Sequence, residues 1–138
     1  MTTYKETTID LMRHGEPIGG RLLRGSQDDP LTEEGWGQMH ASVGDHRPWD
    51  AIISSPLKRC AEFASQLADN RNMPYTEVAK FQEIGFGQWE GMSPEQIIEA
   101  YPGELEAYWR DPTQFSPPNG ETLEAFIARV ESHWLGLL

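Results

Sequence analysis

Residues 7–15 have the sequence Thr-Thr-Ile-Asp-Leu-Met-Arg-His-Gly, a short apolar run that ends in two basic side chains and a glycine. The run is partly β-branched, which is typical of a strand, and we expect the strand to end near Met12. Residues 50–54 predict a second short strand, because this apolar run lies between two prolines and is too short for a helix. Residues 75–78 predict a third strand.

Helices are predicted between and after these strands. Thr32 is a typical N-cap and is followed by two acidic residues that favour a helix start. A serine before a proline also starts helices, and this pattern begins at Ser55 and again at Ser93. Two further helices are predicted over residues 104–110 and from residue 121 onward. Strands that alternate with helices predict an α/β fold with a mostly parallel sheet.

The composition limits the classes of function. The chain has 138 residues, enough for one domain over residues 1–138, and 22 Asp and Glu against 11 Lys and Arg give a formal net charge of −11. This charge disfavours nucleic acid and anionic membranes as partners. The single cysteine, Cys60, indicates a reducing compartment. With neither an apolar signal core nor a spanning segment in the sequence, we expect a cytoplasmic protein.

The cations are concentrated early in the chain. Nine of the 11 Lys and Arg residues lie in residues 1–80, among them Arg13, Arg21, Arg24, Lys58 and Arg59. A local cationic pocket in an acidic protein suits a small anion.

Two arginines and a histidine are expected to meet in one pocket. Arg13 and His14 follow the first predicted strand, and ligands of open α/β sheets bind at the carboxyl ends of strands. Arg59 lies in the predicted first turn of the next helix, where free N–H groups bind anions. Arginine also matches phosphate oxygens bidentately. The pattern therefore predicts a phosphate pocket.

Five blocks in this order resemble the histidine phosphatase superfamily, also called the phosphoglycerate mutase-like family. The blocks are Arg13–Glu16, Asp29–Gly35, Ser55–Cys60, Glu83–Gly91 and Pro118–Thr122. The resemblance implies a three-layer α/β/α domain of the phosphoglycerate mutase type.

The resemblance also implies a mechanism. His14 attacks phosphorus and becomes a phosphohistidine, with its tautomer fixed by a hydrogen bond to nearby backbone. Arg13 and Arg59 bind the phosphate oxygens. Glu83 protonates the departing alcohol and then activates water, and Glu90 is a rival for this role. No metal or other cofactor is implied, and the sequence shows no metal-ligand spacing.

Within the superfamily, the short glycine-rich loop after Glu16 is most similar to the α-ribazole phosphatase branch of cobalamin biosynthesis. This similarity places Arg21, Arg24 and the backbone of Gly25 at the substrate entrance. The implied substrate is a small phosphorylated metabolite such as α-ribazole 5′-phosphate, and inorganic phosphate is the product.

The superfamily pattern includes a second histidine on a later strand, and this chain ends before such a motif. His40, His46 and His133 are assigned structural or surface roles instead. The chain therefore looks shortened at its C-terminus, and we hypothesise that the exposed sheet edge supports a homodimer. Two alternatives stay open: a non-catalytic phospholigand-binding relative and a phosphoglycerate mutase-type phosphotransferase.

Overall fold

The computed structural model describes residues 3, 5–46 and 48–138. The helices and strands, in chain order, are α1 (Glu33–Val43), β1 (Ile52–Ser54), α2 (Lys58–Asn70), β2 (Tyr75–Glu77), α3 (Pro94–Ala100), α4 (Glu104–Arg110) and α5 (Leu123–Leu137). Short 3-10 turns cover Ala79–Phe81 and Gly87–Trp89.

The two strands form a parallel pair. Ile52 lies opposite Tyr75 and Ser54 lies opposite Glu77, and α2 connects the strands and packs against both of them. A hydrogen bond from Val78 N to Ser54 O, 2.9 Å long, extends the pairing past β2. A parallel pair needs such a crossover connection, usually a helix. The α/β class with a parallel sheet is therefore confirmed.

The prediction of a first strand at residues 7–12 is wrong for the described chain, because this segment has no regular secondary structure. Leu11 is 83% exposed and Met12 is 44% exposed. A strand forms only where its N–H and C=O groups pair with a neighbouring strand. Within the described residues, β1 pairs with β2, and residues 7–12 are instead tied by a side-chain bond from Trp49 Nε1 to Asp10 Oδ2 (2.7 Å).

Three helices begin at the expected kind of capping side chain. The hydroxyls of Thr32, Ser93 and Thr122 each accept a hydrogen bond from the backbone N–H three residues further on. At Ser93 a full capping box forms, and the proline after it occupies the first helical position. The predicted bounds of α4 are confirmed, and α5 begins at Leu123 rather than two residues earlier.

The start of α2 differs from the prediction. The N-cap position belongs to Leu57 rather than to Ser55, and the Ser55 hydroxyl only accepts a 3.3 Å hydrogen bond from Leu57 N. The first helical N–H, that of Lys58, donates instead to Asp28 Oδ1 at 2.6 Å. A carboxylate from a distant loop thus satisfies the helix terminus that a local serine was expected to cap.

The buried side chains form two clusters. The first joins α1 and α2 and contains Leu31, Met39, Val43 and Phe63, with Trp36, Trp49 and Leu67 packed against it. The second lies around α3 and α4 and contains Trp89, Ile97 and Leu105, with Leu23, Phe86, Met92, Tyr101 and Tyr108 at its border. His40, which was assigned a structural or surface role, is exposed and stacks on Trp36.

The last helix is less covered than its amphipathic pattern predicts. No residue of α5 is buried, and Leu135 is 60% exposed. The helix packs against Ala79–Phe81, where the rings of His133 and Phe81 meet edge to face at 5.2 Å. This contact brings α5 beside the segment that leads to Glu83.

Candidate active site

The loop that carries His14 lies directly against the first turn of α1. An added Cβ at Gly15 would come closer than 3.0 Å to the backbone of Gly35, and one at Gly35 would come equally close to the backbone of Glu16. Glu16 O also accepts a 2.9 Å hydrogen bond from Thr32 N. Glycine is required at both positions because two backbones meet there, and this contact fixes the loop after His14.

The imidazole of His14 is half-buried and is oriented by the backbone. Its Nδ1 lies 2.7 Å from Gly15 O. A carbonyl oxygen only accepts, so Nδ1 carries the proton and donates it in this bond. In the neutral imidazole this bond leaves the lone pair on the other ring nitrogen, Nε2, which is the form that a nucleophile needs. The backbone bond expected from the resemblance is present.

Arg59 is the most deeply placed charged group of the site and is only 1% exposed. Its guanidinium donates to Gln27 O (2.7 Å), to Gly25 O (2.9 Å) and to Glu83 Oε2 (2.9 Å). A buried charge needs such a set of partners. Arg59 therefore joins the glycine-rich loop before α1 to the segment that carries Glu83.

The structure brings most of the predicted residues together around one cavity of about 440 Å³. Its lining includes Arg13, His14, Arg21, Arg24, Arg59 and Glu83. Arg13 and Arg21 are exposed and line it from the loop side. Four arginines outnumber the two carboxylates of the lining, Glu16 and Glu83, so the recess is cationic in an acidic chain, which suits an anion such as phosphate.

Arg24 differs from the other arginines because its guanidinium is engaged within its own loop. Nε pairs with Asp29 Oδ2 at 3.0 Å, and Nη2 donates to Ile18 O (2.9 Å) and Gly20 O (2.6 Å). These bonds shape the loop wall of the cavity. The expected contact of Arg24 with substrate stays a prediction, as does that of the buried Gly25, whose carbonyl is already bound to Arg59.

Glu83 is 43% exposed and forms an ion pair with the buried Arg59. The pair lies at the wall of the cavity that His14 also lines. A carboxyl group and an imidazole around one cationic recess can together act on an ester of phosphoric acid.

The comparisons with known proteins agree with this geometry. Residues 9–138 match the family model described as the histidine phosphatase superfamily, branch 1. The chain belongs to this superfamily. The resemblance drawn from the five sequence blocks is therefore confirmed.

The chain spans about 60% of the length of the curated relatives it matches. Adenosylcobalamin/alpha-ribazole phosphatase of Salmonella typhimurium is 32% identical over 127 residues, which cover 88% of this chain and 62% of that protein. Phosphoserine phosphatase 1 of Hydrogenobacter thermophilus is 32% identical over 127 residues, covering 88% of this chain and 59% of that protein. A mycobacterial glucosyl-3-phosphoglycerate phosphatase, solved with inorganic phosphate, has a TM-score of 0.77 at 27% identity over 90% of this chain and 59% of that one.

Glu90 has structural contacts that set it apart from Glu83. Its Oε1 accepts from Ser26 N (2.8 Å) and from Phe86 N (3.2 Å), and both carboxylate oxygens accept from the Ser26 hydroxyl. Glu90 thereby joins the turn at Gly25 to the Glu83 segment. An added Cβ at Gly25, which has a φ of 53°, would collide with these same groups. Glu83, unlike Glu90, lines the His14 cavity.

Sequence reasoning missed the pair Glu121 and Arg129, which lies behind the Glu83 segment. Their side chains meet at 2.7 Å, and each is about three-quarters covered. The signal available in the sequence is that Arg129 is one of only two Lys or Arg residues after position 80. A lone cation in an acidic stretch is a candidate for a specific ion pair.

Tyr108 is a second residue that sequence reasoning missed. Burial raises the pKa of its phenol, and the negative charge of Glu83 raises it further. The phenol therefore stays neutral and lies within the electrostatic reach of the Glu83 carboxylate. Its ring packs edge to face on Phe86, which lines the His14 cavity.

Cys60 is a further reactive side chain of the described residues, and no role in phosphate chemistry is assigned to it. Burial raises the pKa of the Cys60 thiol, against the opposing effect of Arg59, so the thiol stays protonated. Among the described residues lining the cavity, His14 is the only histidine.

No group of three or more potential metal ligands occurs in the described part of the chain. None of its described helices is both long and apolar enough to span a membrane.

Proposed function

We propose that this chain is a phosphomonoester hydrolase that acts through a phosphohistidine on a small phosphorylated metabolite. The observation that carries the proposal is the single cavity lined by His14, Arg13, Arg59 and Glu83. Its cationic wall suits a phosphate group, and its imidazole and carboxyl group suit the two proton and phosphoryl transfers of ester hydrolysis.

In the first half-reaction, Nε2 of His14 attacks phosphorus in line with the ester oxygen. The N–P bond forms as the P–O ester bond breaks, and the departing alcohol takes its proton from the Glu83 carboxyl. Charge spreads over the equatorial phosphate oxygens during this transfer, and Arg13 and Arg59 stabilise it. The bond from Nδ1 to Gly15 O holds the ring in the nucleophilic tautomer.

In the second half-reaction, the Glu83 carboxylate takes a proton from water. The water oxygen bonds to phosphorus, the N–P bond breaks, and inorganic phosphate leaves. The enzyme returns to its starting protonation state. The ion pair between Arg59 and Glu83 supports this assignment, because a bound phosphate competes for the same guanidinium. The released Glu83 carboxylate then takes up the proton that it donates in the first half-reaction.

The substrate class is a small phosphate monoester, and α-ribazole 5′-phosphate is our first candidate. The candidate rests on the glycine-rich loop around Arg21 and Arg24, and a similar phosphatase of that name supports it. Similar proteins named for phosphoserine and for glucosyl-3-phosphoglycerate make those two esters the natural comparison substrates. We also propose that the reaction needs no metal ion.

The test is hydrolysis of p-nitrophenyl phosphate in the presence of a chelator, with His14→Ala as the inactivating variant. His40→Ala is the matched control, because His40 is exposed on α1 and does not line the cavity. We expect turnover that survives the chelator, is kept by His40→Ala and is lost in His14→Ala. An acid-labile, base-stable phosphoryl label on the wild-type chain identifies the phosphohistidine. Equal activity in the two variants contradicts the proposal.

The second candidate is a non-catalytic phosphate-binding protein. It is favoured by the presence of one histidine, His14, in the described lining, where the superfamily pattern has two. For this candidate, vanadate or phosphate raises the melting temperature while no monoester is hydrolysed.

A further inference from the structure

The backbone next to Glu83 is held from α5 by Arg129. Nη1 of this side chain donates to Lys80 O (2.7 Å) and to Gln82 O (2.9 Å), and Nη2 lies 3.4 Å from Glu83 O. These three carbonyl oxygens belong to residues 80–83, the segment that ends at Glu83. A planar guanidinium has several donors in fixed directions and can bind several carbonyls at once, which a lysine ammonium does less well.

Glu121 holds the other side of the same segment. Its Oε1 accepts a 3.1 Å hydrogen bond from Gly85 N, and its own backbone N–H donates to Gly85 O at 2.8 Å. Glu121 and Arg129 are themselves joined by two bonds, from Nε to Oε2 (2.9 Å) and from Nη2 to Oε1 (2.7 Å). The backbone on both sides of Glu83 is therefore fastened to one bidentate ion pair.

The pair keeps its charge at neutral pH. The bond from Arg129 lowers the pKa of the Glu121 carboxyl below its ordinary value of 4.5, with a smaller lowering from the Gly85 N–H, and the same bond raises the pKa of Arg129. Protonation of Glu121 would weaken its bond to Arg129. The ion pair is therefore fully formed at pH values above the pKa of Glu121, and it weakens as the pH falls through that pKa.

We propose that Glu121 and Arg129 are positioning residues that hold Glu83 where it can protonate the leaving group, an inference that rests on the proposed function. Neither residue is in the described lining of the His14 cavity. Both line a neighbouring cavity of about 490 Å³ that shares Glu83 with it. They therefore act through Glu83, whose side chain is partly exposed and which lies in an irregular segment. A general acid works only within hydrogen-bond reach of the oxygen it protonates.

The test compares two phosphate esters that differ in their need for an acid. The glycerol oxygen of glycerol 3-phosphate is a poor leaving group as an alkoxide, so it needs a proton as the ester bond breaks. p-Nitrophenyl phosphate releases a stable phenolate and does not need this proton. For Arg129→Met we expect kcat/KM, which reports the first half-reaction alone, to fall by about tenfold or more on glycerol 3-phosphate and by less than about threefold on p-nitrophenyl phosphate, since general acids contribute about 10²–10⁴-fold. Arg110→Met is the matched control, since Arg110 is the other arginine after position 80 and is exposed at the end of α4. We expect it to change neither rate.

A double variant separates positioning from general loss of structure. In a Glu83→Gln background, Arg129→Met should leave the ratio of the two rates unchanged, because the acid it positions is already absent. Glu121→Gln preserves the shape of the side chain and an acceptor for Gly85 N, and it serves if Arg129→Met does not fold. We expect it to change the rate ratio in the same direction by a smaller factor.

Three outcomes overturn the inference. In a folded Arg129→Met or Glu121→Gln chain, equal losses of kcat/KM on the two esters would show a structural role only. Unchanged kcat/KM on both esters would show that Glu83 needs no positioning by this pair. A wild-type chain that hydrolyses neither ester refutes the proposed function and this inference with it, whereas an active wild type with equal losses refutes the inference alone.

Discussion

The contact between Gly15 and Gly35 makes a prediction that reverses the usual effect of a glycine-to-alanine change in a helix. Gly35 and Gly37 both lie in α1, two residues apart. An added Cβ at Gly37 meets nothing within 4 Å, whereas one at Gly35 comes within 3.0 Å of the backbone of Glu16. Gly37→Ala is therefore a control with the same chemical change in the same helix.

The expected magnitudes follow from two terms. Alanine is better than glycine inside a helix by about 0.5–1 kcal/mol, and both variants gain this amount. Only Gly35→Ala also overpacks, at a cost of about 1–3 kcal/mol, and the atoms it meets are backbone atoms that cannot rotate away. Gly37→Ala should stabilise the chain, and Gly35→Ala should have a free energy of unfolding about 1–3 kcal/mol below that of Gly37→Ala.

Urea denaturation followed by tryptophan fluorescence measures both variants. With a slope of about 1.5–2 kcal/mol per M, the two midpoints should differ by roughly 0.5–2 M. The activity assay adds a second readout, because displacement of Glu16 also displaces the neighbouring His14 loop. We expect Gly35→Ala to lose phosphatase activity and Gly37→Ala to keep it. Two stabilised variants with equal midpoints would refute the close backbone contact.

Two other predictions concern the core and the sheet. Phe63 is 1% exposed, so Phe63→Ala should lower the free energy of unfolding by about 3–5 kcal/mol in the same denaturation assay, and a loss below about 1 kcal/mol would place Phe63 outside the core. Burial, followed by the contact with Glu77, raises the pKa of Tyr75 to about 12. In the unfolded chain the phenol of Tyr75 loses its proton near pH 10, whereas in the folded chain it keeps the proton until about pH 12. The stability that Tyr75 contributes is therefore complete below pH 10 and is lost as the pH rises towards 12. Tyrosinate absorbance should show late titration from Tyr75 and from Tyr108, whose pKa is also raised, and Tyr75→Phe should remove the part near pH 12. An unchanged late step in that variant would contradict the assignment.

The parts of the fold that follow from local signals could be predicted from the sequence. The capping hydroxyls of Thr32 and Ser93 lie within three residues of the N–H groups they bind, so the pattern alone indicates where α1 and α3 begin. The start of α2 could not be predicted in this way. Its first N–H is bound by Asp28, which lies 30 residues away in the chain. The prediction of a first strand at residues 7–12 was wrong for a related reason. A strand forms only beside a second strand, and the sequence of the segment does not specify that neighbour.

The same distinction separates the residues of the candidate site. His14, Arg59 and Glu83 were singled out from the sequence, and the structure places them around one cavity. The sequence predicted phosphate binding by Arg13 and a place at the substrate entrance for Arg24, but it did not show which of the two guanidinium groups has partners within the chain. The difference comes from the carboxylate of Asp29 and from loop carbonyls, which occupy Arg24. Arg13 is exposed and takes part in no hydrogen bond or ion pair among the described residues.

Glycines mark the contacts between several of the five sequence blocks. Gly15 touches the backbone of the second block, and Gly87 of the fourth lies against Gly120 in the fifth. Gly25, which lies between the first two blocks, lies against Phe86 in the fourth. At each contact a side chain of any size would push these segments apart, because the opposing atoms include backbone atoms. The blocks are thus the places where distant parts of the chain meet around His14, Arg59 and Glu83, whereas the segments between them only have to span the distance. The sequence shows each glycine but not which backbone it faces, and that pairing is what turns a set of motifs into a site.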